Sequence, residues 1–429
     1  MRTSFILTIE NTERYKKQLL GWAQQFREIV FLDSNSYHQN YSTYDAVLAI
    51  DAFTSIKTDY HNAFEELKIY QQTTKDWLFG YLSYDLKNDT EELKSANFDG
   101  LGFSDMFFFQ PKKLFLLKGN QLELQYLNMC NNEIEGDLAE ILNFQQPTTV
   151  NRQPTTIQQR ISKESYLDKA RQMLSHIHRG DIYEANFCME FYAENAAIVP
   201  FDTYQKLNAI SEPPFAVFFR NYKQYLLSAS PERYIRKEGD KIISQPIKGT
   251  ARRSDNPTED KAIQEELYNN EKERSENIMI VDLVRNDLSR TAVKGSVKVE
   301  ELCGPYAFKQ VHHLISTVVS ELKPEFYPID VIKTTFPMGS MTGAPKISAM
   351  QIIEKLEETK RGLYSGAVGY FSPEGDFDFN VVIRSILYNA ENKYISFSVG
   401  SAITSKAVPE SEYEECLLKA RAMRSVLES

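Results

Sequence analysis

The sequence predicts an α+β fold, with large antiparallel β-sheets packed together and helices outside them. Three observations carry this expectation. The C-terminal part holds three extended runs, Leu363 to Phe371, Phe377 to Leu387 and Tyr394 to Val399, separated only by turns at Ser372 to Asp376 and Asn389 to Lys393, which reads as an antiparallel meander. Residues 1–145 alternate aromatic-rich extended runs (Ala46 to Ala49, Trp77 to Tyr84, Met106 to Phe109, Leu114 to Leu117) with short helical patterns. The remainder contains segments that begin at capping residues and carry apolar stripes at helical spacing.

Taken in order, Trp77 to Tyr84 has Gly80 in its middle, which predicts a bulge or the close approach of another element. The polar, proline-bearing run Gln145 to Gln159 lacks periodicity and marks a boundary between an amino-terminal region, 1–145, and a second region, 155–429. Ser162 caps a helix to His178, with Tyr166, Ala170, Met173, Leu174 and Ile177 as its apolar stripe, and Gly180-Asp181 ends it. A strand follows over Ile182 to Tyr192. Tyr225 to Ala229 is extended up to a turn at Ser230-Pro231, and Tyr234 to Arg236 and Lys241 to Ser244 flank a Gly239-Asp240 hairpin turn.

Asp255-Asn256-Pro257 starts a helix, Asn269-Asn270 breaks it, and Glu271 to Ser289 continues as a second one. Pro345 opens another, with Ile347, Met350, Ile353 and Leu356 as its core stripe. The final helix starts at Ser411, where Ser411 and Glu414 form a capping-box pattern; Tyr413, Cys416, Leu417, Ala420, Met423 and Leu427 make its buried face.

The 429 residues carry 49 Lys+Arg against 59 Asp+Glu, 49 − 59 = −10, which argues against nucleic-acid binding as the main business. No stretch is apolar for long enough to span a bilayer, and Phe5 to Leu7 is too short for the core of a signal peptide. The four cysteines, Cys130, Cys188, Cys303 and Cys416, are scattered without metal-type spacing. A cytoplasmic protein with no membrane partner is the expectation.

Candidate chemistry begins in Ser230 to Arg253, which places Glu232, Lys248 and several turn residues in one segment. Pro246 and Gly249 hold Lys248 in a rigid turn, where it is either a solvated lysine or, if desolvated, a nucleophile or charge anchor. Glu273 with Glu276, and Glu412 with Glu415, are carboxylate pairs three residues apart on helices. Each pair is either a solvated helix surface or a set of oxygen ligands suited to Mg²⁺. The stripe of the last helix places Glu415 on its exposed side. Gly343-Ala344-Pro345-Lys346 at a helix start is an ordinary cap or an anion site. Arg384 interrupts the apolar run VVIRSIL as an exposed strand arginine or a carboxylate binder, and His313 is a general acid/base or a core histidine.

Together these segments resemble the chorismate-binding enzymes: component I of anthranilate synthase and of aminodeoxychorismate synthase, and the isochorismate and salicylate synthases. The resemblance is dense from Gly180 onward, through GDIYEANF, SPERY, PIKGT, RSENIMIVDLVRNDLSR, HHLIST, MGSMTGAPKISAM, YSGAVGYF, VVIRS and SEYEE in family order. It is weaker before that, at FLDSN (Phe31 to Asn35), which in relatives lies at a tryptophan pocket, and at WLFGYLSYDL (Trp77 to Leu86).

The resemblance implies the chorismate-binding fold and a catalytic second region. It implies that Glu276 and Glu415 hold Mg²⁺ against the substrate carboxylate, with Glu273 and Glu412 close by. Ser340, Gly343, Ala344, Tyr364, Arg384, Gly400, Ala402 and Lys406 would bind substrate, and His313 would lie near the departing 4-hydroxyl. Ala402 replaces a glycine of some relatives. Lys248 stands where anthranilate, isochorismate and salicylate synthases typically have alanine, and PIKGT resembles the aminodeoxychorismate synthase branch. That branch implies attack of Lys248 on C2 of chorismate, Glu232 as proton donor and acceptor, and ammonia from a glutamine amidotransferase subunit. Glu184 is a departure: water-using relatives have lysine there and ammonia-using ones usually glutamine. The alternatives are an anthranilate synthase component I and a non-catalytic chorismate-binding subunit.

Overall fold

The computed structural model describes residues 1–37, 40–145 and 154–429, so most of the expected boundary at 145–159 lies outside the described residues. Within them, twenty strands join one hydrogen-bonded network, and every pairing between named strands is antiparallel. The network has two arms that share two long strands, Ala46–Thr58 and Met106–Lys118.

The first arm runs from Arg2–Thr8 through Gln121–Leu127, the shared strands, Glu28–Asp33, Phe215–Asn221, Gln224–Ser230, Ser385–Asn389 and Tyr394–Thr404 to Glu184–Ala193. The second runs from the start of Met106–Lys118 through Leu78–Leu82, Ala367–Phe371, Phe377–Val381, Arg233–Glu238 and Lys241–Gln245 to Val311–Glu321. That last strand also pairs with Ile247–Arg252 and, on its other edge, with Lys298–Ala307. Strands from before and after residue 150 therefore pair directly, as Glu28–Asp33 does with Phe215–Asn221.

Alternation along the strands builds two cores. Ile29, Phe31, Phe218, Leu227 and Ile386 face one core, shared with Tyr166, Met173, Ile353, Cys416 and Met423 of the helices outside the first arm. Their neighbours Val30, Phe219, Leu226 and Leu387 face the other, where the first arm packs against Phe79, Ile235, Ile242 and Phe379 of the second. Gly80 is required where the strands are closest: a Cβ there would lie 2.0 Å from the Phe107 carbonyl oxygen. The expectation of close approach at Gly80 is met.

Helix ends follow local chemistry. The Ser162 hydroxyl accepts the Ser165 N–H at the start of Lys163–Arg179, and Gly180, at φ 87°, closes that helix. Asn270 ends Pro257–Asn269 and caps Glu271–Ser289, its side chain accepting the N–H groups of Lys272 and Glu273. No helix among the described residues is long and apolar enough to cross a membrane.

Several expected elements differ. Met106 to Phe109 and Leu114 to Leu117 are one strand, because Pro111 sits at a register shift opposite Ala52 that tolerates a missing N–H. The run Phe377 to Leu387 is not one strand: it splits into Phe377–Val381 and Ser385–Asn389, one in each arm, with Arg384 at φ 52° in the corner between them. Residues Leu363 to Gly366 precede the strand Ala367–Phe371 and form turns. Ile347 is 45% exposed rather than in the core, the helix Lys346–Leu356 burying Ala349, Met350, Ile352, Ile353 and Leu356 instead. The last helix begins two residues before Ser411, at Pro409, so Ser411 is inside it and no side-chain cap forms.

Candidate active site

Where the ends of the two arms meet, a cavity of about 740 Å³ opens between the strand Ile247–Arg252, the helix Glu271–Ser289 and the last helix, Pro409–Leu427. Lys248 lies on the strand, not in a turn as expected, because the residues after Pro246 pair with Val311–Glu321. Gly249 supplies the register shift at φ 81°, which lets Lys248 and Thr250 both face inward.

Lys248 Nζ donates to Glu184 Oε1 at 2.7 Å, with side-chain exposures of 11% and 1%. Burial pulls the lysine pKa down, but Glu184, Glu276 and Glu232 outweigh it and hold the ammonium form above its ordinary range. The site is desolvated, as a nucleophilic lysine needs, and anionic enough to keep that lysine charged.

Glu232, fully inside the fold at 4% exposure, is pushed up to about 7 by burial, partly offset by the Ser340 hydroxyl, the Ile247 N–H, Lys248 and Lys419. It therefore carries a proton near neutrality and can give it up. His313 Nδ1 is 2.9 Å from the Gly249 carbonyl oxygen, so Nδ1 bears the proton, and the buried Nε2 has no partner. Burial and the nearby Arg384 push it down to about 3, so His313 enters the cavity as a neutral hydrogen-bond acceptor, not as an acid.

The corner at Arg384 turns its guanidinium into the cavity, where it makes no hydrogen bond or ion pair among the described residues. Burial lowers its pKa, against the pull of Glu415 and Tyr364. A half-buried planar cation without a hydrogen-bonded partner suits a carboxylate. Ser340, whose buried hydroxyl lies beside the Glu232 carboxyl without meeting hydrogen-bond geometry, lines the same wall with Tyr364, Gly400 and Ala402.

All four glutamates of the two helical pairs line this cavity. Burial raises the carboxyl of Glu276 to about 7, and raises those of Glu273 and Glu412. Glu415, which periodicity placed on the solvent side, keeps 40% exposure yet faces the cavity; burial raises its pKa, but Lys419 at 2.5 Å and Lys248 bring the net value down. Lys272 reaches across the group, 3.2 Å from Glu412 Oε1 and 3.8 Å from Glu276 Oε1. Rigid helices, an all-oxygen donor set and the buried Glu276 Oε1, which accepts no hydrogen bond, suit a hard divalent cation. Among the described residues no three such groups stand in metal-holding geometry as they are, the Lys272 ammonium lying between two of them.

Three expected site residues are not brought to the cavity. Gly343 and Ala344 pair with Ala185 and Glu184 as a short strand, which commits their backbone to the sheet. At that helix start the Lys346 side chain is committed to the fold, donating to Asp287 at 2.5 Å and to the Thr335 carbonyl. Lys406 is exposed in the turn after Tyr394–Thr404.

Other residues escaped the sequence reading. Lys419 joins the Gly400 carbonyl at 2.8 Å to Glu415, and Lys272 is likewise four residues from Glu276; this spacing is a usable signal. Arg361 bonds Glu357 and the carbonyls of Met341 and Asn186, tying together three segments of the cavity wall, and nothing in its sequence context announces that. A second, smaller cavity, about 70 Å³, lies against Leu32 to Ser34, Tyr44, Phe215 and Asn380.

A family model described as chorismate binding enzyme matches residues 27–425. The chain belongs to the chorismate-binding enzyme family, and its fold is that family's. It is 39% identical over 271 residues to aminodeoxychorismate synthase component 1 of Escherichia coli (strain K12), a match covering 63% of this chain and 59% of that one. It is 34% identical over 357 residues to anthranilate synthase component 1 of Thermus thermophilus, covering 81% and 77%. The crystal structure of anthranilate synthase component I from Streptococcus pneumoniae TIGR4 superposes with a TM-score of 0.79 at 25% identity, over 90% of this chain and 94% of that one.

Proposed function

We propose that this chain is the chorismate-aminating component of an aminodeoxychorismate synthase, replacing the 4-hydroxyl of chorismate by an amino group to give 4-amino-4-deoxychorismate for p-aminobenzoate and folate synthesis. One observation supports this over anthranilate formation: a buried lysine, Lys248, faces the same cavity as a buried acid whose carboxyl is raised to about 7. Relatives named for both reactions match at similar identity, so overall similarity does not separate them.

Arg384 and Ser340 would bind the substrate's carboxylate and polar groups. Lys248 passes its proton to Glu184, 2.7 Å away, and the neutral amine attacks C2. Both ring double bonds shift, C1=C2 to C1=C6 and C5=C6 to C4=C5, the C4–O bond breaks, and Glu232 protonates the departing hydroxide to water. His313 Nε2 accepts a hydrogen bond from the substrate hydroxyl. Ammonia then adds at C4 and returns a proton to Glu232, both double bonds shift back, and the C2–N bond to Lys248 breaks as the lysine recovers its proton from Glu184. The balance is chorismate plus ammonia giving the amino product plus water. Glu276 and Glu415, with Glu273 and Glu412, would hold Mg²⁺, which supplies charge neutralisation for a substrate carboxylate. Ammonia would come from a separate glutamine amidotransferase subunit, in the cytoplasm.

The test is to incubate the purified chain with chorismate, Mg²⁺ and ammonium, and to separate the products with and without an added aminodeoxychorismate lyase. The expected product yields p-aminobenzoate only after the lyase acts. Anthranilate formed directly would overturn the assignment, and absence of turnover would favour a binding subunit. Arg384→Ala is expected to raise KM for chorismate about 10- to 100-fold with a smaller change in kcat, as for loss of a charge-assisted bidentate contact, measured by steady-state kinetics at saturating ammonium.

A further inference from the structure

The helix Glu271–Ser289 carries Lys272 in its first turn, where a cation faces the positive end of the helix dipole and gains nothing from it. Its ammonium is held instead by carboxylates, 3.2 Å from Glu412 Oε1 on the last helix and 3.8 Å from Glu276 Oε1 one turn along its own. Those two glutamates are 4% and 10% exposed at their side chains, whereas Lys272 is 38% exposed and has open water beside it. The other lysines of the cavity are engaged elsewhere: Lys248 by Glu184, Lys419 by Glu415 and the Gly400 carbonyl. Lys272 is thus the cation placed on the Glu276–Glu412 pair, and Glu276 Oε1 still accepts no hydrogen bond.

We propose that Lys272 is an internal counter-cation of the four-glutamate cluster, occupying its centre while no metal is bound, and that a divalent cation binds only by displacing it. The proposal rests on the reading that the cluster holds Mg²⁺. An ammonium and a hard dication compete for the same carboxylate oxygens, and two positive charges in one buried cluster repel. The long, half-exposed side chain can move into solvent without breaking the fold, because its backbone N–H stays on the Asn270 cap. Without Lys272, Glu276 and Glu412 would have no ammonium within 4 Å among the described residues, so the empty site would be less stable and the metal more tightly held.

Mg²⁺ is titrated calorimetrically into the full chain, without chorismate, for the wild type and for Lys272→Met. The expected result is a Kd about tenfold lower in the variant, with a lower Tm in EDTA and a larger rise in Tm on adding Mg²⁺. An equal or weaker Mg²⁺ affinity in the variant overturns the proposal. Failure of both proteins to bind Mg²⁺ overturns the metal reading itself, a separable outcome. Should the variant not fold, a crystal structure of the wild type with Mg²⁺ decides: Lys272 Nζ is expected to have left Glu276 and Glu412, and its retention there beside the metal overturns the proposal.

Discussion

Lys248→Ala is expected to lower kcat for ammonium-dependent amination of chorismate by at least about 10³-fold, with KM changed far less, because in the proposed mechanism the group lost forms a bond to substrate and contributes little to ground-state binding. The lysine side chain is buried and held at 2.7 Å by Glu184, so truncation leaves a polar void rather than a new contact. Product chromatography at saturating ammonium measures it, with circular dichroism to establish that the variant folds. Glu184→Gln keeps the nucleophile but removes the carboxylate that receives its proton, and is expected to cost about 10²-fold, less than loss of the lysine. Unchanged turnover in Lys248→Ala would remove the covalent step from the mechanism and leave only an electrostatic role for that lysine.

Glu232→Gln is expected to reduce kcat by about 10²- to 10⁴-fold, the usual contribution of a positioned proton donor. Its pH behaviour separates this role from a structural one. Burial lifts the Glu232 carboxyl from 4.5 to about 7, so wild-type kcat/KM falls as pH rises past about 7 and the donor loses its proton. Stability follows the same sign: between 4.5 and about 7 the folded chain retains a proton that the unfolded chain has released, so stability falls as pH rises through that window. The glutamine variant lacks this loss. Its Tm relative to wild type is expected to rise from pH 5 to pH 8, by an amount corresponding to on the order of 3 kcal/mol, read by thermal denaturation in metal-free buffer. A difference that stays flat with pH would show that Glu232 is not held protonated.

Much of the fold was legible because it is local. The hairpin about Gly239-Asp240 appears as Arg233–Glu238 paired with Lys241–Gln245, and the break at Asn269-Asn270 is a residue that ends one helix and caps the next. These features depend on turn and capping chemistry within a few residues. Arg384 was legible as a residue type out of place in an apolar run, but not as a corner. Only the transfer of the chain from one arm of the sheet to the other requires φ of 52° there, and that transfer aims the guanidinium inward.

The site divides in the same way. Acid, lysine and the glutamate pairs stand out as chemistry-bearing residues at telling spacings, and their family order names the substrate class. Periodicity failed at Glu415, because helical spacing reports which side meets the hydrophobic core and does not distinguish bulk solvent from a polar cavity. Gly343, Ala344 and Lys406, which the resemblance assigned to substrate, do not line the cavity, because their positions depend on which strand pairs with 343–344 and where the turn after Thr404 projects.

By itself, then, the sequence determined an α+β chain of the chorismate-binding kind with Lys248 and Glu232 as its distinctive pair. Tertiary structure alone decided the charge state of that pair. Local residues set neither the raised carboxyl of Glu232 nor the charged form of Lys248. The first arises from burial, and the second from carboxylates that outweigh burial, delivered by segments far apart in the chain, Glu184 and Glu276 among them, because electrostatic energy in a desolvated cavity depends on distance through space.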